Sequence, residues 1–180
     1  MNNDIEIKIL KDKTKLTEVY NLRIRAWENS ISSNIINGEK YPKGFKDEYD
    51  EDSIHLIASN NIQIMSACRV TFFKNTSNFP YINLPNMKNF TDNVFALIGR
   101  GVRDKNFHFK NAQYDFVKLA LEVCKENGVK YAFGHAYNEN IYMQNLMDNF
   151  NFKFLSDVNY DNYRDKSIAY PGKLFVVEII

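Results

Sequence analysis

Three carboxylates and two arginines set out the chemistry this sequence offers. Asp47, Glu48 and Asp50 lie close together in Phe45-Lys46-Asp47-Glu48-Tyr49-Asp50, and Arg69 and Arg100 follow in apolar surroundings. Carboxylates so grouped can recognise or deprotonate a cationic amine, and guanidiniums can hold such acids or grip a substrate carboxylate through two parallel hydrogen bonds. The blander readings stay open: acid clusters in polar connectors are usually solvated, and a strand arginine is often a structural ion-pair partner. A second feature is the run from Val94 to Phe152. There an apolar segment, Val94 to Val102, leads through the polar loop Arg103 to Asn111 into an amphipathic helix, then a second strand and a final helix. A loop between a strand and a helix N-terminus gathers backbone N–H groups that lack internal acceptors, which suits a pyrophosphate-sized anion.

Other reactive side chains are less well placed. His55 and His135 each sit in a strand pattern, and His108 falls in the candidate anion loop. No HxxxH or His/Cys pair has metal-ligand spacing, so no metal is assigned. Cys68 and Cys124 stand alone in apolar patterns, as buried reduced thiols do. Cys68 precedes Arg69, but neighbours on a strand point to opposite faces, and no Gly-x-Ser-x-Gly elbow is present. A covalent intermediate is not expected.

The elements that must position these groups follow from periodicity. Ile5, Ile7 and Ile9 alternate with Glu6 and Lys8, as in a half-buried strand. Leu16, Val19, Tyr20, Ile24, Trp27 and Ile31 form one apolar stripe, which predicts a helix over Thr14 to Ile31. Ser30 to Gly44 reads as a polar connector long enough to cover a substrate. Ser53 to Ser59 and Ile62 to Phe73 read as an antiparallel pair turning at Asn60-Asn61. Lys74 to Asn93, with Pro80 and Pro85, reads as an irregular excursion. Ala112, Phe116, Leu119, Ala120, Val123 and Cys124 give a helical stripe closed by Asn127-Gly128, a glycine suited to the position just past a helix. Tyr131 to Tyr137 is a strand, and Asn140 to Asn149 a helix with Ile141, Leu146, Met147 and Phe150 inward. Phe152 to Leu155 and Leu174 to Ile179 supply closing strands. The order is β-α-β-β-β-α-β-α-β-β, an α/β (α+β) domain on a mixed, mostly antiparallel sheet.

Composition bounds the partners. The 180 residues, 44% of them hydrophobic, fit one domain spanning 1–180. A formal net charge of +1 with scattered lysines gives no cationic field for nucleic acid. No apolar run approaches the roughly 18 residues of a membrane span, and Met1 to Ile5 has no signal-peptide character, so a cytoplasmic location is expected.

In order of elements, the chain resembles the GNAT acyltransferase superfamily over nearly its full length. Arg100-Gly101-Val102 ends the central strand as in that superfamily, Asn140 matches the asparagine opening its last helix, and Asn151-Phe152 stands where a Gly-Phe pair is usual. The front half is similar to the branch containing acyl-homoserine-lactone (autoinducer) synthases and N-acyl amino acid synthases. Trp27, the Phe45 to Asp50 segment, Arg69 in Cys68-Arg69-Val70, and Arg100 occupy the matching positions. Leu97 replaces the branch's glutamate and Gly99 its serine. His108-Phe109-Lys110-Asn111-Ala112-Gln113 replaces the superfamily's Arg-x-x-Gly-x-Gly loop, and Met147 replaces the last-helix tyrosine that many members use as an acid.

The resemblance implies an N-acyltransferase that takes an acyl group from a coenzyme A thioester, or from acyl carrier protein, to the amine of a small molecule. It implies cofactor contacts at Gly101, Val102, Arg103, His108, Phe109, Lys110, Asn111, Ala112 and Asn140, acceptor contacts at Trp27, Asp50 and Arg69, and catalytic roles for Asp47 and Arg100. Asparagine tolerates the dihedrals a glycine-free loop demands, and Lys110 or His108 can help neutralise the anion. Met147 cannot donate a proton, and Tyr142 lies on another helix face. Direct attack of the amine on the thioester remains, with proximity supplying much of the rate. A long acyl chain would need an apolar tunnel, for which Phe72, Phe95, Phe133 and Met143 are candidates or else plain core. If acyl carrier protein is the donor, Lys105 and Lys110 would meet its acidic helix. The alternative is a degenerate member that keeps the fold as a binding module without turnover.

Overall fold

The alternating isoleucines and the stripe that follows fold in the order read. The computed structural model describes residues 5–28, 36–60, 62–90, 93–107, 109, 111–158 and 171–180, with backbone alone at positions 85 and 86. Its strands are β1 (Glu6–Ile9), β2 (Ile54–Ser59), β3 (Ile64–Phe73), β4 (Phe95–Arg103), β5 (Tyr131–Tyr137), β6 (Lys153–Val158) and β7 (Gly172–Glu178), and its helices α1 (Leu16–Trp27), α2 (Ala112–Glu126) and α3 (Ile141–Asn149). Hydrogen-bonded neighbours follow the order β1-β2-β3-β4-β5-β7-β6. Four of the described pairings, β1 with β2, β2 with β3, β5 with β7 and β6 with β7, are antiparallel, and β4 with β5 is parallel. The mixed, mostly antiparallel sheet of the sequence reading is what forms. The chain divides into two compact units, 1–70 with 100–119, and 71–99 with 120–180.

In the first unit α1 lays Val19 and Leu22 on Ile57 of β2, Ile64 and Ala67 of β3, and Val102 of β4, with Leu10, Ala26 and Trp27 at the margin. A 3-10 turn at Lys13–Lys15, capped by Asp12, leads into the helix. Ile31, where the sequence reading ended α1, lies outside the described residues. The β2–β3 turn is longer than the two-residue hairpin expected at Asn60-Asn61. Ser59 pairs with Ile64, the Asn60 N–H donates to the Gln63 carbonyl, and Asn60 Oδ1 accepts from the N–H groups of Ile62 and Gln63. Asn60 thus satisfies the turn with its side chain, which a tight two-residue turn does not require.

In the second unit the irregular excursion between β3 and β4 is ordered by aromatic packing. Its two 3-10 helices, Thr76–Asn78 and Pro85–Phe90, carry a segment that buries Phe79, Leu84, Met87 and Phe90. Phe79 stands 5.1 Å from both Phe95 and Phe133, and Phe90 5.0 Å from Phe133, mostly edge to face, the geometry aromatic quadrupoles favour. Phe95 and Phe133, tunnel candidates in the sequence reading, are fully buried members of this cluster. On the other face of β5, a Cβ at Gly134 would stand 2.7 Å from the Met147 methyl of α3, so the glycine lets helix and strand approach. Leu146 and Met147 face inward as read, but Ile141 is exposed. It is the first residue of α3, beyond the turn that packs on β5, so the inward stripe starts later than periodicity indicated. The closing strands are longer or shifted relative to the sequence reading, because β6 and β7 pair from Lys153↔Val176 to Val158↔Gly172.

Candidate functional site

The acid segment is held by a close backbone approach to α1. Gly44 has φ +86, and a Cβ there would stand 2.6 Å from Tyr20 Cβ and 2.7 Å from its carbonyl carbon. Only glycine permits both the dihedral and the approach. The next residue, Phe45, donates its N–H to the Tyr20 carbonyl and is buried, which fixes where Asp47 and Asp50 emerge.

Asp47 and Asp50 then meet three arginines. Asp50 is fully buried, and Arg23 of α1 donates to it through Nη1 at 2.7 Å and Nη2 at 2.8 Å. Arg69 of β3 donates through Nη1 to Asp50 Oδ1 at 2.7 Å and to Asp47 Oδ1 at 2.5 Å. Arg100 of β4 donates through Nε at 2.9 Å and Nη2 at 2.5 Å to Asp47 Oδ2. Backbone N–H groups complete the set: Asp47 N donates to Asp50 Oδ2, and Tyr49 N to Asp47 Oδ1. Both carboxylates are thus engaged on both oxygens. Burial works to raise the two carboxyls; the surrounding guanidiniums outweigh it, Arg100 and Arg69 at Asp47, Arg23 and Arg69 at Asp50, and hold them below the ordinary carboxylate range. Asp47 is therefore a weak proton acceptor.

Neighbouring side chains frame the network. His55 of β2 lies opposite Arg69 of β3 in the register, and its Nε2–H donates to the Asp50 carbonyl at 2.9 Å. Burial lowers its pKa, the Asp50 carbonyl and carboxylate opposing, so the ring is held neutral. Among the described residues His55 Nδ1 and Arg23 Nε are buried without a hydrogen-bond partner. Arg100 also lies over the Phe45 ring at 5.1 Å, and Phe45 packs edge-on against Trp27 at 5.5 Å, which joins Trp27 to the cluster through one aromatic ring. Arg100 has φ +55. A non-glycine residue there carries a cost of about 1–2 kcal/mol, so β4 is strained at the residue whose side chain Asp47 grips.

Of the residues the sequence singled out, Trp27, Asp47, Asp50, Arg69 and Arg100 come together, whereas Glu48 is exposed. The acids are not solvated, contrary to the bland expectation for a polar connector, because Gly44 and Arg23 draw them inward. Arg23 and His55 were missed. Arg23 falls between Tyr20 and Trp27 on the apolar face of α1, and a charge on such a stripe was the available signal.

The candidate anion loop belongs to the same unit. Gly101 and Arg103 are exposed at the end of β4; Val102 is core, and its carbonyl accepts from Ser66 Oγ at 2.7 Å. Phe107 is buried and stacks on Phe109. Asn111 takes φ +65 immediately before Ala112 opens α2. It supplies the left-handed residue that the loop lacks in glycine. His108 and Lys110 lie outside the described residues. In the second unit Asn140 caps α3 by accepting from the Met143 N–H, and Asn151, in place of the usual glycine, has φ +60. Tyr142 is exposed while Met147 is buried, so the two are on different faces as read. Among the described residues no group of three or more His, Cys, Asp or Glu could hold a metal ion, and no helix is long and apolar enough to cross a membrane.

No family model matches the chain, and no curated protein does. Solved structures do. An acetyltransferase of the GNAT family from Streptococcus pneumoniae is 12% identical with a TM-score of 0.66, over 98% of this chain and 100% of that one. A putative acetyltransferase from Salmonella typhimurium, with its cofactor acetyl-CoA, is 7% identical with a TM-score of 0.63, over 99% and 95%. A Bacillus subtilis acetyltransferase in complex with CoA is 12% identical with a TM-score of 0.62, over 98% and 100%. From its first strand to its last, this chain has the fold of the GNAT-type acetyltransferases.

Proposed function

We propose that this protein is an N-acyltransferase that moves an acyl group from a coenzyme A thioester to the amine of a small molecule. The observation that carries the reading is end-to-end correspondence with acetyltransferase structures, two of them named as complexes with acetyl-CoA or CoA. Local support comes from the strand–loop–helix run: a strained Arg100 near the end of β4, a left-handed Asn111, and the first turn of α2, where N–H groups lack internal acceptors. Gly101, Arg103, Phe109, Asn111 and Ala112 would border the phosphates there. His108 and Lys110 would supply positive charge, and Val102 would take part through its backbone. Asn140 is a further contact by family resemblance.

In this reading Asp47 is a positioning residue. Its carboxylate keeps the Arg100 guanidinium and the strained β4 backbone in place, and Asp50 with Arg69 and Arg23 anchors Asp47 in turn. Trp27 and Phe45 wall the acceptor side. Rate comes from holding thioester and amine in register, potentially on the order of 7–11 kcal/mol in well-aligned systems. The autoinducer and N-acyl amino acid synthase branch is the finer assignment we favour, on Trp27, Asp47, Asp50, Arg69 and Arg100. Its carrier-protein donor, longer acyl chains and a cytoplasmic setting come with it as expectations.

The test is thiol release from acetyl-CoA and from a long-chain acyl-CoA in the presence of the twenty common amino acids, a diamine and a dipeptide. Amine-dependent release supports the reading, and the better donor fixes chain length. Release from neither donor with any amine overturns it in favour of a binding module.

A further inference from the structure

His55 of β2 is buried in the first unit, 3% exposed, and takes no part in the transfer outlined above. Its ring is bonded on one side alone. A carbonyl oxygen only accepts, so the contact with the Asp50 carbonyl places the proton of the neutral imidazole on Nε2 and leaves Nδ1 bare. Among the described residues Nδ1 is buried without a hydrogen-bond partner. A neutral ring leaves only an acceptor unmatched there. A protonated ring would leave a charged N–H donor unmatched, which burial penalises far more heavily.

The charged groups around the ring act in the same direction. Asp50 comes from the acid segment, Arg23 from α1 with the Tyr20 ring 5.5 Å beneath its guanidinium, and Arg69 lies opposite on β3. On the β1 side the contact is uncharged, the Leu10 N–H donating to the His55 carbonyl. Asp50 Oδ1 stands 3.7 Å from Nε2, but that oxygen already accepts from Arg23 and Arg69. Arg23, Arg69 and Arg100 meet only Asp47 and Asp50, so a proton on His55 joins a cluster already in positive excess. Burial outweighs the pull of the Asp50 carbonyl and carboxylate and holds the imidazole below its ordinary pKa.

The two ends of the acid segment are tied by different means. At Phe45 the backbone docks on α1, its N–H donating to the Tyr20 carbonyl and its carbonyl accepting from Arg23 Nη1 at 3.2 Å. At Asp50 the backbone carbonyl is held by the imidazole. We propose that His55 is a proton-operated latch on the acid segment, closed while the ring is neutral and opened when it is protonated. The added proton sits on Nδ1, and the ring turns toward water to satisfy it. The Asp50 carbonyl loses its donor, the segment loosens from that end, and Asp47 leaves its place against Arg69 and Arg100. The ring is bound more weakly to protons when latched than when free, so the latch is closed at neutral pH and opens as pH falls. The arrangement built on Asp47 is thereby withdrawn by mild acidification and restored on neutralisation.

Trp27, the only tryptophan, packs edge-on against Phe45 at the root of the segment and reports its docking. The experiment follows Trp27 emission and far-UV circular dichroism together from pH 8 to 4, for the native protein and His55→Gln, whose amide can still donate to the Asp50 carbonyl. The expected result is a reversible red shift of the native emission. Its midpoint falls between about pH 6.5, the ordinary imidazole value, and about pH 4, where carboxylates begin to take protons. Circular dichroism stays constant through it, and the shift is lost in His55→Gln. Absence of the shift in the native protein, its coincidence with loss of circular dichroism, or its survival in His55→Gln overturns the proposal. Should His55→Gln not fold, the ring is titrated in native protein by carbon-13 NMR: a midpoint coinciding with the emission change supports the proposal, and one displaced by more than ~1 pH unit overturns it. No turnover is read, so the outcome is independent of the acyltransferase reading.

Discussion

The two units are ordered by opposite means. In the first, the centre is a buried lattice of Arg23, Asp47, Asp50, Arg69 and Arg100; in the second it is a knot of Phe73, Phe79, Phe90, Phe95 and Phe133. A phenylalanine knot gains from area removed from water and depends little on geometry finer than packing. A buried charge lattice returns its desolvation cost only when every partner is present and aligned. The charged centre therefore specifies position, and the aromatic one supplies stability.

The comparison breaks most plainly on removal of one member from each centre. Asp50→Ala leaves Arg23 buried without its carboxylate and Arg69 with Asp47 alone, and should cost about 3–5 kcal/mol in urea denaturation at pH 7. Phe133→Ala should cost a similar 3–5 kcal/mol through cavity formation. The two losses should then separate on acidification. Asp47 and Asp50 have folded pKa values below the unfolded value of roughly 3.9, so their contribution is complete above about pH 5 and fades as pH falls through and below that value. The Asp50→Ala penalty should shrink over this range, and the Phe133→Ala penalty should persist. Equal behaviour of both would contradict the contrast.

Gly44→Ala is next in size. The dihedral alone costs about 1–2 kcal/mol and the collision with the Tyr20 backbone adds to it, for a total of about 2–4 kcal/mol. Gly128→Ala, at φ +66 with open space around it, should lose only the dihedral cost. Equal losses would mean that backbone docking at Gly44 does not set the acid segment.

A smaller effect comes from His55. Its folded pKa lies below the unfolded value of about 6.5, so stability is fully present above that pH and declines as pH falls through it, ahead of the carboxylates. His55→Gln, which can still donate to the Asp50 carbonyl, should flatten the decline between about pH 7 and 5. An unchanged decline would place its origin elsewhere. The smallest effect pairs one residue from each unit: Asn111→Gly and Asn151→Gly should each stabilise by less than about 1 kcal/mol, since both asparagines sit at positive φ.

Much of the architecture was legible because its elements carry clean periods. The Ile7–Ile9 alternation, the α2 stripe closed by Gly128, and Tyr131 to Tyr137 read directly as structure. The Lys74 to Asn93 excursion did not, because its phenylalanines are ordered by packing at long range and follow no local period. The site was half legible. Asp47, Asp50, Arg69 and Arg100 stood out by type, but their depth depends on Gly44 docking against α1 and on Arg23, whose charge interrupts an otherwise ordinary helix stripe.

The central claim is that this fold takes a coenzyme A thioester, and calorimetric titration of the purified protein with acetyl-CoA tests it most directly. The account predicts one site per chain with a dissociation constant in the range of about 1 μM to 1 mM that enzymes show for their substrates. No heat of binding at millimolar acetyl-CoA would contradict it.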